Sequence, residues 1–303
     1  MRYNPASFAM IRILAALLLP AALWAQSPAL EGVVDIHAHS DPDSVPRSID
    51  AIDLAKLARS RGMRALLLKN HYEATASLAY LVRKEVPGIE LFGGIALNRT
   101  VGGVNPAAVE RMTKVKGGWG RVVWMPTFDA ENQVRFSKED RPYVSVSRGG
   151  ALLPEVVTVL DIMAKNKLAL ETGHSSPAEC LALIRAAKRA GIERITVTHA
   201  MLAPVGMSIE QMKEATALGA FVEFVYNALI GPSKSFTIEE YARALRSVGP
   251  EHCILSSDLG QAGNPLHTEG LEAYFRLLAA QGFSRAEIEQ MSRKNPATFL
   301  GLP

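Results

Sequence analysis

The chain has 303 residues, of which 48 % are hydrophobic and 21 % charged, a globular composition that excludes disorder and low-complexity function. The formal net charge is +3; without the first 25 residues, 31 basic residues face 30 acidic ones, so electrostatics give no case for nucleic-acid binding. Two cysteines, Cys180 and Cys253, are too few for a disulfide scaffold and read as core residues.

The first 25 residues stand apart. Arg2 and Arg12 are their only charges, and residues 13–24 are apolar apart from Pro20. A basic start, a short apolar run and a small residue at Ala25 read as a secretory signal peptide, too short for a comfortable membrane span. Residues 26–303 are then a single domain, periplasmic or secreted, with no stable membrane span after cleavage. Leu23 occupies the position three before the break where a small residue is usual, and an uncleaved N-terminal anchor is the alternative.

The mature chain opens with an apolar strand, Val33-Val34-Asp35-Ile36-His37-Ala38-His39. Side chains at i and i+2 of a strand share a face, so His37 and His39 point the same way at the strand's carboxyl end. A helix follows, capped by Ser48 or Asp50 and closed by Gly62. A buried strand at 65–68 leads to Lys69-Asn70-His71. The alternation repeats: helix 75–85, strand 90–97, helix 106–115 and strand 121–126. Residues 128–150 are polar and irregular, and a loop of that length is expected to be a lid or binding loop. Helix 153–165 then leads to strand 167–172, which ends at Gly173-His174. Helix 177–190 precedes strand 194–198, which ends at His199. Helix 208–218 precedes strand 220–226, which carries Glu223. Helix 237–247 leads to strand 253–257, which ends at Asp258. Helix 267–281 and a last pair, 284–293 into 295–300, finish the chain.

Strand starts recur about every 26 to 33 residues, apart from the interval stretched by the long loop. Short, nearly continuous apolar strands alternating with helices predict a parallel α/β sheet, and eight such units predict a (β/α)8 TIM barrel. A doubly wound open sheet is the competitor, but no Gly-x-Gly-x-x-Gly opens a helix. In a barrel every strand's carboxyl end opens on one face, where active sites lie. Five of the seven histidines fall at predicted strand ends: His37, His39, His71, His174 and His199. With Asp258 they are expected to hold a divalent metal.

The Asp-Ile-His-Ala-His strand, His174, His199, Ser-Ser-Asp258-Leu-Gly and the C-terminal Asn295-Pro296-Ala297-Thr298-Phe299-Leu300-Gly301 resemble the amidohydrolase superfamily of metal-dependent hydrolases. The resemblance covers residues 31–303 and points to no individual member. It implies that His37 and His39 bind one metal with Asp258. His174 and His199 would bind a second, or one of them would contact substrate in a single-metal enzyme. Many two-metal members carry a bridging carboxylated lysine or glutamate on the fourth strand. Here that strand reads Arg121-Val122-Val123-Trp124-Met125-Pro126-Thr127-Phe128, with neither residue, so either Lys69 or Glu171 substitutes or no protein group bridges, and the metal count stays open. His71, Trp124 and Arg148 are candidate substrate contacts.

The implied activity is hydrolysis of an amide, lactone, ester or phosphoester bond of a small molecule by metal-activated water. Asp258 is the expected proton carrier and His199 the expected oxyanion stabiliser. Zinc is the expected metal, one or two per chain, with manganese or iron as alternatives. A single-metal decarboxylase or hydratase on the same barrel, or a periplasmic metal- or solute-binding protein, is the competing reading. Substrate and oligomeric state leave no readable mark.

Overall fold

The computed structural model describes residues 29–303, so the expected signal segment 1–25 lies outside the described residues. Aliphatic, mostly fully buried runs form the strands β1 (Val34–Ala38), β2 (Ala65–Leu68), β3 (Glu90–Ala96) and β4 (Gly120–Trp124). The two-residue strands β5 (Ser147–Arg148) and β6 (Ala151–Leu152) follow, then β7 (Ala169–Glu171), β8 (Ile195–Val197), β9 (Phe221–Val225) and β10 (Cys253–Ser256). Eight of them pair in parallel in the order β1-β2-β3-β4-β7-β8-β9-β10. The two edges meet where Ala38 bridges Leu259. There the His39 amide donates to the Leu259 carbonyl and the Asp258 amide to that of His37, both at 2.9 Å. The fold is the expected nearly closed (β/α)8 barrel.

The helices are α1 (Ala51–Ser60), α2 (Ala76–Glu85), α3 (Pro106–Thr113), α4 (Glu131–Phe136), α5 (Pro154–Lys165) and α6 (Pro177–Ala190). After them come α7 (Ile209–Ala217), α8 (Ile238–Val248), α9 (His267–Ala280), α10 (Arg285–Glu289) and α11 (Asn295–Leu300). Local chemistry sets their starts. The Asp50 side chain accepts from the amides of Ile52 and Asp53, which caps α1. Ser176 with Glu179, and Thr237 with Glu240, form capping boxes at α6 and α8. No helix of the described residues is long and apolar enough to cross a membrane.

The stretch 128–150 is not the irregular loop expected. It folds into α4 and the antiparallel β5–β6 hairpin. Val134 and Val146 anchor it in the core, Ala130 bridges Val144, and Arg141 pairs with Asp129 at 2.6 Å. Its apolar residues are too sparse to show a period, so the sequence pattern is silent there.

Two apolar layers make the core. One lies between strands and helices and includes the free, buried Cys180 and Cys253. The other joins Val34, Ile36, Ala65, Leu67, Val122 and Trp124 inside the barrel with Phe299 and Leu300 of α11. The β1–β2 register shifts by one residue between Asp35 and Ala38. This bulge lets Val34 and Ile36 fill the interior layer while His37 also reaches the interior polar groups. The Asp35 carboxylate secures it by accepting from the amides of His37 (3.1 Å) and Ser257 (3.0 Å).

Candidate metal centre

His37 and His39 leave β1 side by side, their ring centroids 5.1 Å apart. Asp258 arrives from the end of β10, and its Oδ1 lies 3.0 Å from Nε2 of each histidine. One ligand atom from each of the three falls within 4.8 Å of the others, so they form a cluster able to hold a metal ion. The outer nitrogens are occupied. His37 Nδ1 donates to Glu223 Oε1 at 3.1 Å and His39 Nδ1 donates to the Lys69 carbonyl at 2.6 Å. With a metal bound, these acceptors would hold the ring proton of each neutral imidazole on Nδ1 and leave each Nε2 facing the centre, as metal-ligating imidazoles require.

A second group of donors adjoins this cluster. His174 Nε2 and His199 Nε2 are 3.2 Å apart. His174 Nδ1 donates to Gln133 Oε1 at 2.8 Å, whereas the buried Nδ1 of His199 has no partner among the described residues. The Lys69 ammonium reaches His37 Nε2 at 2.8 Å. Close-packed imidazole lone pairs beside an amine and a carboxylate are a donor set that fits divalent cations.

The backbone is bent to make this convergence. His199 and Asp258 follow their strands with φ of +26° and +49°, conformations that cost a non-glycine residue about 1–3 kcal/mol. Glu223 offsets part of that at His199, whose amide donates to Glu223 Oε2 at 2.8 Å. Ser256 Oγ donates to the other oxygen of the same carboxylate at 2.6 Å.

Burial dominates the electrostatics. It pushes the His39 pKa down to about 3 and that of His199 to about 4, and holds His71 and His174 well below the usual range. Neutral imidazoles are the ligating form. At His37 burial also acts downward, but the charges of Asp258 and Glu223 outweigh it and lift the pKa to about 9. Burial lowers Lys69 and raises Glu171, and Glu223 adds to the rise at Glu171.

The centre opens on a cavity of about 420 Å3 whose wall includes His39, Lys69, His71, His174, His199 and Asp258. The His71 ring is held in place on that wall. Asn98 Nδ2 donates to Thr127 Oγ1 at 2.6 Å, and Thr127 Oγ1 is hydrogen-bonded to His71 Nδ1 at 2.9 Å, which fixes the ring with Nε2 as its unbonded nitrogen. A larger hollow, about 740 Å3, lies where β4, β7 and β8 begin, among Gly118, Arg121, Lys167 and Arg194; it holds no histidine.

Three of the expected site residues do not line the cavity. Glu171 is fully buried but absent from the cavity wall; its Oε2 accepts from Thr198 Oγ1 at 2.6 Å and its Oε1 has no partner. Trp124 is a core residue with Lys69 Nζ 5.7 Å from its ring centroid, and does not line the cavity. Arg148 is exposed on the β5–β6 hairpin, away from the cavity wall. Two residues take unexpected places. Glu223 orients His37, a role legible only as an acid in an otherwise apolar strand. Arg47 lines the cavity, and nothing in its local sequence sets it apart.

No curated protein matches the chain. Among solved structures it is similar to an amidohydrolase from Pseudomonas aeruginosa at 15 % identity, with a TM-score of 0.64 over 93 % of this chain and 98 % of that one. It is also similar to the organophosphorus hydrolase from Deinococcus radiodurans at 15 % identity, with a TM-score of 0.61 over 91 % of this chain and 94 % of that one. A third, the phosphotriesterase homology protein from Escherichia coli complexed with phosphate in its active site, is 17 % identical, with a TM-score of 0.59 over 89 % and 99 %. At these identities the likeness is one of fold, that of the amidohydrolase- and phosphotriesterase-like barrels. A family model matches residues 32–223, from the turn before β1 through Glu223, and so spans every histidine of the centre; the chain belongs to the Family of unknown function (DUF6282).

Proposed function

We propose that the chain is a metal-dependent hydrolase that cleaves an amide, lactone, ester or phosphoester bond of a small molecule. The observation that carries this is the convergence of His37 Nε2, His39 Nε2 and Asp258 Oδ1, with both imidazole tautomers held by outer partners. The descriptions of the structural neighbours, an amidohydrolase, an organophosphorus hydrolase and a phosphotriesterase homology protein, support the same class of chemistry.

His37, His39 and Asp258 would hold one ion, and His174 and His199 a second. Lys69, whose Nζ lies 2.8 Å from His37 Nε2, is better placed to bridge them as a carboxylated amine than Glu171, whose Oε2 accepts from Thr198. Zinc suits the imidazole-rich set, with manganese or iron as alternatives. Such an ion lowers the pKa of a water to about 7 and polarises the oxygen of the scissile bond. Asp258 accepts the proton of the attacking water as the new bond to carbon or phosphorus forms, and delivers it to the leaving group as the old bond breaks. His71 donates its Nε2–H to the substrate. In a single-metal arrangement His199 is free to donate to the developing oxyanion. The N-terminal basic and apolar segment supports export, with residues 26–303 as one periplasmic or secreted unit.

Metal content per chain, for wild type and His37→Ala, tests the reading. Two equivalents, with loss on substitution, support a two-metal hydrolase. One equivalent selects the single-metal branch and brings decarboxylation or hydration into the activity panel. None after supplying zinc, manganese and iron overturns the proposal.

A further inference from the structure

We propose that Arg47 is the recognition point for an oxyanion group, a carboxylate or a phosphate, on the molecule that enters this centre. The inference rests on the hydrolase reading above and adds the charge class of the substrate.

Arg47 lies in the segment between β1 and α1. Its side chain is only 4 % exposed, yet it contributes to the cavity wall beside His39, Lys69, His71 and Asp258. Its charge lowers the proton affinity of His39, Lys69 and His71, so it acts within the centre's own field. A buried guanidinium must be paired. Asp43 does this from one edge, accepting Nε at 2.7 Å and Nη2 at 2.5 Å on a single oxygen. The Asp43 side chain is fully buried and absent from the cavity wall, so the negative end of the pair is hidden and the positive end meets the cavity. Nη1 makes no hydrogen bond among the described residues. A guanidinium with one edge committed and the other free is arranged to take a planar or tetrahedral oxyanion.

The backbone around it is pinned. Arg47 bridges Gln261, the Ser48 amide donates to Gly260 O at 2.9 Å, and the Asp41 amide to Ile49 O at 2.9 Å. The Arg47 backbone is therefore tied to the loop that follows Asp258 and its guanidinium to Asp43, and little ordering entropy remains to oppose binding. The cavity wall contains a single carboxylate, Asp258, which belongs to the metal cluster. A second cation beside a metal site works against loading the metal. Asp43 pairs the guanidinium from behind, and an incoming negative group would offset the charge that faces the cavity.

The test titrates the zinc-supplied protein with succinate and, separately, with inorganic phosphate, for wild type, Arg47→Gln and Arg47→Lys. Zinc content is measured on the same samples. Wild type is expected to bind at least one of the two anions, Arg47→Gln about 10- to 100-fold more weakly, and Arg47→Lys in between, with zinc content unchanged. Dependence confined to succinate assigns a carboxylate; dependence confined to phosphate assigns a phosphoryl group. Equal binding in wild type and Arg47→Gln, or no binding of either anion, overturns the inference. The titration is read whether or not zinc loads, so absent zinc would count against the hydrolase reading alone.

Discussion

Glu223 holds His37 by its Nδ1 at 3.1 Å and, through its second oxygen, takes the backbone amide of His199 at 2.8 Å. One carboxylate on β9 thus orients a donor from each half of the centre. Its fully buried charge stays ionised because, although burial opposes it, His37 holds its pKa below the usual carboxylate value. Glu223→Gln keeps the shape but removes the charge and leaves one accepting oxygen, so it cannot take both the His37 Nδ1–H and the His199 amide. Metal affinity is expected to fall about 10- to 100-fold, read by competition with a chromogenic chelator. Unchanged affinity would remove Glu223 from the centre.

In the proposed mechanism Asp258 would supply a metal donor and the proton relay from one carboxylate. Its Oδ1 faces both histidines, and its Oδ2 lies 3.4 Å from Asn227 Nδ2. Asp258→Asn is expected to lower hydrolysis of any ester or lactone substrate by about 100-fold or more, with the far-ultraviolet circular dichroism unchanged. A variant that keeps most of its turnover would end the assignment.

Gly173 precedes His174 at a φ of +62°, and a Cβ there would stand 2.2 Å from the Met125 carbonyl oxygen and 2.5 Å from that of Pro126. The close approach positions His174, whose amide donates to Pro126 O at 2.9 Å. Gly173→Ala should destabilise the protein by at least about 2 kcal/mol in urea unfolding, from left-handed strain and backbone contact together. A loss below about 0.5 kcal/mol would mean that the two strand ends separate easily.

His267 opens α9, fully buried, its ring against the backbone of His39 and Leu259. Burial pushes its pKa down to about 4, against an ordinary value of 6.5. Between these values the unfolded chain binds a proton that the native ring refuses, so stability rises with pH across that window. The linked loss on acidifying from pH 6.5 to 4 is of order 3 kcal/mol. His267→Phe is expected to flatten the stability–pH profile over that interval, measured by denaturant midpoints; an identical profile would show that His267 carries none of it.

Much of the fold was legible because parallel barrel strands are buried on both faces and read as apolar runs. The expected starts near 33, 64, 90, 121, 168, 194, 220 and 253 fall within one residue of those observed. The histidines and Asp258 were legible because each follows such a run, and a barrel gathers all carboxyl strand ends on one face. The β5–β6 hairpin was not, since ion pairs and a few anchoring valines leave no periodic trace.

By itself, then, the sequence determined the eight-unit alternation, the barrel and the set of strand-end donors, because burial imposes its period on neighbouring residues. The tertiary structure alone decided the rest. The bulge at Ile36–His37 depends on the register against β2. The pairing of Glu223 with His37 and the entry of Arg47 in place of Arg148 join residues far apart in the chain. Such convergence depends on register, strand curvature and loop path, none of which a local pattern of polar and apolar residues encodes.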